Sequence, residues 1–143
     1  MVSNTPRLRF YDATLTQYVC TFLTQATPGG GEVPGTKDEL MSLPGVGDYV
    51  ASAVVCFSSG EPTPIIDTNV VRVIGRIFGL RLEGEARRRK EMRDAATLCL
   101  DQHQPRLYNY ALLDFAALVC TASAPRCSEC PFGQRGLCAY AQR

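Results

Sequence analysis

Four cysteines crowd the end of the chain in "CTASAPRCSECPFGQRGLC": Cys120, Cys127, Cys130 and Cys138, separated by six, two and seven residues. Thiolates are soft ligands, and four of them in one short loop can surround a single metal centre. A structural zinc site usually joins two Cys-x-x-Cys pairs, and only one such pair is present. Ligation from a single loop suits a [4Fe–4S] cubane better. Zinc, redox thiols and simple packing are the alternatives, and a polar loop broken by proline and glycine offers no core to pack in. Cys20, Cys56 and Cys99 sit in apolar stretches instead. Seven cysteines, an odd number behind a start without the apolar core of a signal peptide, favour metal over disulfides.

Two further stretches could do chemistry. In "LPGVG", Leu43 to Gly47, glycines at 45 and 47 permit close backbone approach, and the amides of the turn and of the next helix can point outward together. Such a turn binds a phosphate without a lysine, so Leu43, Gly45, Val46 and Gly47 are candidate phosphate contacts. A tight helix–helix turn with no ligand is the plainer alternative. In "IIDTNVV", Asp67 heads an apolar helix. An aspartate there is a good N-cap, or a carboxylate placed for catalysis.

The elements that must position these residues are helical. Tyr11, Leu15, Tyr18, Val19, Phe22 and Leu23 recur at helical spacing and predict a helix over about 10–25. "ATPGGGEVPG" breaks the chain. Thr36 can cap a short helix "KDELMSL", with Asp38 and Glu39 in its first turn, and Pro44-Gly45 ends it. A second helix runs from Asp48 to about Ser58, rich in small residues. "GEPTPII" is an extended link to a helix from Asp67 or Thr68 to about Phe78. A polar connection leads to a charged amphipathic helix with Met92, Ala96, Leu98 and Cys99 inward. A last, strongly apolar helix begins near Arg106. Strand signals are almost absent, so the class is all-α.

Composition agrees with one soluble domain over 1–143. Hydrophobic residues make up 45% and charged residues 20% of 143, enough to remove roughly two-thirds of the unfolded surface from water. The formal net charge is only +1, so a nucleic-acid partner must be held by a local basic face. No apolar run is long enough to span a membrane, and a cytoplasmic protein is expected.

Taken in order, "LPGVGDYVASAV", "PIIDTNVVRVIGRIFG", "YNYALLDFAALVC" and the four-cysteine loop resemble the helix–hairpin–helix–GPD superfamily of DNA base-excision glycosylases. Its iron–sulfur branches are the similar ones: endonuclease III, the MutY-type adenine glycosylases and the thymine/uracil mismatch glycosylases. The resemblance covers about residues 29–140. It implies a helix–hairpin–helix glycosylase fold, a partial helical barrel, with a hairpin and catalytic-aspartate region at 29–80 and an iron–sulfur loop at 120–138. It implies that the hairpin grips double-stranded DNA, that Asp67 is catalytic, and that Cys120, Cys127, Cys130 and Cys138 hold a [4Fe–4S] cluster beside a DNA-contacting surface. Tyr49 stands where the bifunctional branch has the lysine that attacks the sugar; a phenol forms no imine. A monofunctional glycosylase removing a mispaired adenine, thymine or uracil follows from this likeness; a monomer is expected, with association left open by the missing N-terminal portion. The other reading is a DNA-binding iron–sulfur module without catalysis.

Two departures stand out. The last cysteine spacing is seven residues where the family pattern usually has five, so "PFGQRGL" must bulge. Complete members carry many more residues before the hairpin, and a family member lacking that portion is expected. "FLTQAT" at 22–27 reads as packing. Arg126 and Arg135, in the cysteine loop, are the candidate DNA contacts. "ARRRK" at 86–90 reads as a solvated face, Arg72 and Arg76 as partners for acids, His103 as a surface residue, and Asp114 as a structural hydrogen-bonding group.

Overall fold

The computed structural model describes residues 34–80 and 84–143; the helix expected over 10–25 and the "FLTQAT" segment lie outside them. The described residues form six α-helices and no strand. Helix α1 (Lys37–Met41) opens with a capping box: Thr36 Oγ1 accepts from the Glu39 N–H while the Glu39 carboxylate accepts from the Thr36 N–H. Two donors that a helix start leaves open are thereby satisfied. Helix α2 spans Asp48–Val54. The single helix expected to about Ser58 needs correction, because Val55–Ser59 widens into a π turn. The Ser58 and Ser59 hydroxyls donate to the Val54 and Val55 carbonyls, and the Arg106 guanidinium donates to those of Cys56 and Ser58. Side-chain donors thus compete for carbonyls that an α turn would use.

Helix α3 (Thr68–Phe78) is capped by Asp67. A 3-10 turn (Ala86–Arg88) and α4 (Lys90–Cys99) follow. Helix α5 (Pro105–Leu118) starts on a proline, whose missing N–H is not needed there. The one-turn α6 (Pro131–Gln134) lies inside the cysteine loop.

Two apolar clusters hold the described helices. Leu40, Val46, Ala51, Val54 and Val55 pack beneath the α1–α2 turn. Ile66, Val70, Val71, Ile74, Met92, Ala96 and Leu113 bring α3, α4 and α5 together. Each fully buried aliphatic side chain contributes about 1.5–3 kcal/mol. Met92 and Ala96 face inward as expected, but Leu98 is 81% exposed: six residues on from Met92, it falls about two-thirds of a turn away from their stripe.

The extended link into Asp67 has no ladder partner among the described residues, and the buried Asn109 replaces one. Its Oδ1 accepts from the Ile65 N–H, and its Nδ2 is shared among the Thr63 and Pro105 carbonyls and Cys56 Sγ. Removing a buried amide that serves so many partners leaves donors and acceptors unsatisfied, at about 1–3 kcal/mol each. No helix among the described residues is long and apolar enough to cross a membrane.

Candidate functional site

The α1–α2 turn is closed by the Val46 N–H donating to the Leu43 carbonyl at 3.2 Å. Gly45 sits at φ 80°, where any L side chain is strained. Gly47, unlike Gly45, needs no special backbone angle: at φ −96° and ψ 176° it is extended and serves as the N-cap of α2. Leu43 and Val46 pack into the core beneath the turn, leaving Gly45 and Gly47 on its exposed face. Lys37 and Asp48 form an ion pair across the turn at 2.8 Å.

Asp67 is the N-cap of α3, and both of its oxygens are oriented. Oδ1 accepts from the Val70 N–H at 2.7 Å and Oδ2 from Asn69 Nδ2 at 2.8 Å. The residue is half-buried, so the carboxylate is fixed yet reachable. Asn69 Oδ1 accepts in turn from Arg72 Nη1, and Arg72 Nε donates to the Cys120 carbonyl. An unbroken hydrogen-bonded path thus joins the aspartate to the first cysteine of the loop.

Tyr49 is half-buried on the wall of a cleft of about 540 Å³, with Met41, Gly47, Asp48, Ile66, Glu85, Arg87, Arg88 and Arg93 as its other described walls. Asp67 follows Ile66 directly in sequence but is not itself among these walls. The basic run read as a solvated face is therefore only partly so. Arg87 and Arg88 are exposed, yet they line the same cleft as Tyr49, and Arg88 also pairs with Glu85.

The four cysteines line one cavity, walled further by Ile77, Phe115, Val119 and Tyr140. Among the described residues no three of His, Cys, Asp or Glu are gathered to hold one metal ion. The seven-residue spacing is taken up by α6 and by a turn at Gly136, φ 65°. Gly133 is required by contact: a Cβ there would lie 2.4 Å from the Cys127 carbonyl oxygen. Arg126 borders the cavity and pairs with Glu129 at 3.7 Å, and Arg135 is exposed just after α6.

Among the described residues, Arg72 and Arg76 pair with no acid. Arg72 donates to the Ala116 and Cys120 carbonyls, and Arg76 to the carbonyls of Thr121 and Ala122 and to Cys120 Sγ. The end of α5 exposes carbonyls with partial negative charge, which a guanidinium satisfies well. No carboxylate spacing in the sequence pointed to this arrangement. His103 is exposed, as expected; Asp101 Oδ1 orders its loop by accepting from the His103 and Gln104 N–H groups. Among the remaining cysteines, burial pushes the Cys56 and Cys99 thiols above their usual range.

The chain is similar in sequence and fold to known proteins. The helix-hairpin-helix motif family matches residues 30–57. A thymine/uracil-DNA glycosylase of Pyrobaculum aerophilum is 41% identical over 118 residues, covering 79% of this chain and 50% of that protein. An adenine DNA glycosylase of Mycolicibacterium smegmatis is 41% identical over 99 residues, covering 69% of this chain and 33% of that protein. Among solved structures, a thermostable thymine-DNA glycosylase superposes with TM-score 0.68 at 33% identity, covering 79% of this chain and 51% of that one. A trapped covalent complex of endonuclease III with DNA gives 0.67 at 30%, covering 88% and 56%. The chain thus spans about half the length of these solved structures and of the Pyrobaculum relative.

Proposed function

The chain belongs to the helix–hairpin–helix superfamily of DNA glycosylases, and on that basis we propose that it hydrolyses the N-glycosidic bond of a mispaired base in duplex DNA. The observation that carries the reading is Asp67, a carboxylate held by two donors at the head of α3 and still half-exposed. Breaking the bond builds positive charge on the sugar, and a fixed carboxylate stabilises that charge or activates water without reorganising. Gly45 and Gly47 present the hairpin's face to a backbone phosphate, and the cleft at Tyr49 has the size of a small-ligand pocket, fitting a flipped base. Tyr49 supplies no amine, so strand cleavage is not expected. Adenine, and thymine or uracil opposite guanine, are the candidate bases.

The cysteine loop fits a [4Fe–4S] cluster. Its donors are four cysteines lining one cavity, and four soft sulfur ligands from a single loop with one Cys-x-x-Cys pair suit a multi-atom cluster. Cys120, Cys127, Cys130 and Cys138 would hold it, and its contribution would be a rigid, charged loop presenting Arg126 and Arg135 to DNA.

The test is single-turnover incubation with duplexes carrying G·T, G·U and A·G mispairs, scored for free base and for duplex binding. Base release from one of them is expected. Binding of duplex with no release from any would show a DNA-binding module without catalysis.

A further inference from the structure

We propose that Arg76 is the positioning residue of the cysteine loop, fastening both of its ends to α3 and setting the charge that the cluster feels. This rests on the iron–sulfur reading of the loop. At the first cysteine, Arg76 Nη1 lies 3.4 Å from Cys120 Sγ and 2.7 Å from the Thr121 carbonyl, and Nη2 donates to the Ala122 carbonyl at 2.9 Å. At the last cysteine, the Arg76 carbonyl accepts from the Tyr140 N–H at 3.0 Å and lies 3.4 Å from Cys138 Sγ. The Tyr140 ring closes over the guanidinium at 4.6 Å, and the next carbonyl, of Ile77, accepts from the Ala139 N–H. One residue therefore meets Cys120 by its side chain and Cys138 by its backbone.

Charge strengthens the inference. Among the described residues the hydrogen bonds of Arg76 go to carbonyls and a sulfur, and those of Arg72 to carbonyls and an amide oxygen. Neither guanidinium is neutralised by a carboxylate there, and arginine stays charged at any working pH. Four thiolates make the loop net negative when a cluster is bound. An N–H···S bond and a nearby cation stabilise the form that has gained an electron, so both raise the reduction potential. Lysine cannot reproduce the planar fork that reaches sulfur and two carbonyls together.

The experiment compares anaerobically purified protein with Arg76→Met, Arg76→Lys and Tyr140→Leu. It measures iron per chain, reduction potential by mediated titration followed by electron paramagnetic resonance, and iron loss to a chelator. Arg76→Met should lower the potential and speed iron loss about 10-fold or more. Arg76→Lys, which keeps the charge, should lower the potential less while still speeding iron loss. Tyr140→Leu, which uncovers the guanidinium, should speed iron loss with a small shift. Should Arg76→Met fail to fold, Arg76→Lys decides. Either variant with the parent's potential and iron retention would overturn the role of Arg76. A parent that binds no iron would overturn the cluster reading and the Arg76 role with it, an outcome seen before any variant is made.

Discussion

Asp67→Asn separates capping from catalysis because the two depend on different properties of one side chain. In the parent, Oδ1 takes the Val70 N–H and Oδ2 takes Asn69 Nδ2. An asparagine amide oxygen can keep the first bond, and Asn caps a helix about as well as Asp. The second bond is lost, because the new amide would present a donor to the Asn69 donor. Asn69 cannot turn over freely to accept it, since its own Oδ1 already accepts from Arg72. The expected stability loss is that of one hydrogen bond, about 0.5–1.5 kcal/mol. The expected rate loss is that of a positioned electrostatic group, about 2.7–4 kcal/mol or 10²–10³-fold in single-turnover base release. Asp67→Ala removes the cap as well and should lose about 0.5–2 kcal/mol of stability from that alone. Denaturant unfolding and base release are measured on both variants. If Asp67→Asn shows the small stability loss and the parent's release rate, Asp67 is a cap and the catalytic assignment is refuted.

Tyr49→Lys should introduce borohydride-trappable adduct and strand cleavage with a substrate duplex, while the parent gives little; strong trapping by the parent would mean that another amine reaches the sugar. Cys127→Ala or Cys130→Ala should bleach a brown protein holding about four irons per chain, and stoichiometric zinc in iron-sufficient preparations would contradict the cluster. Arg87→Ala and Arg93→Ala should each weaken duplex binding about equally for all sequences and reduce the salt slope by roughly one, as lost phosphate contacts do; an unchanged slope would leave them as a solvated face. Burial, with the charge of Cys99 second, pushes the Tyr108 phenol up to about 12. The fold therefore favours its neutral form; that stability is complete below the usual value near 10 and should fall away as pH rises from there to about 12. An unfolding profile unchanged in that window by Tyr108→Phe would contradict it.

Local signals were the legible ones. Thr36 with Glu39, and Asp67 ahead of an apolar repeat, each announce a helix start through side chain-to-backbone bonds spanning three residues, and both starts stand in the structure. Gly45 was legible for a similar reason, because only its own backbone angle matters. What escaped depends on partners distant in sequence. Arg72 and Arg76 look like ion-pair residues until the end of α5 and the segment after it bring carbonyls to them, 44 to 48 residues on. Asn109 looks like a lone polar residue on an apolar helix until Thr63 and Ile65 arrive beside it. The π turn at Val55–Ser59 needed Arg106, and the cleft at Tyr49 needed the 3-10 turn and α4 to bring basic side chains beside the tyrosine. Leu98 was a simpler matter of helical phase: the residues at three- and four-position steps from Met92 form the buried stripe, and it is not one of them.

Capping and catalysis at Asp67 are better regarded as one arrangement than as rival explanations. A catalytic carboxylate must already be oriented when charge develops on the sugar, and the cap bond to Val70 with the bond from Asn69 accomplishes that orientation. Each oxygen accepts one donor and retains further accepting capacity, so orientation does not consume the group. The same helix then fixes where the aspartate stands relative to the rest. Its buried face, Val70, Val71 and Ile74, locks it against α4 and α5, while its polar face sends Arg72 and Arg76 to the cysteine loop. Three short steps therefore connect that loop to Asp67: Cys120 to Arg72, Arg72 to Asn69, and Asn69 to Asp67. Replacing Asn69 by leucine severs the last two while leaving the cap bond intact. If the path matters, that variant should lose base release and keep its iron; if orientation comes from the cap alone, both should remain.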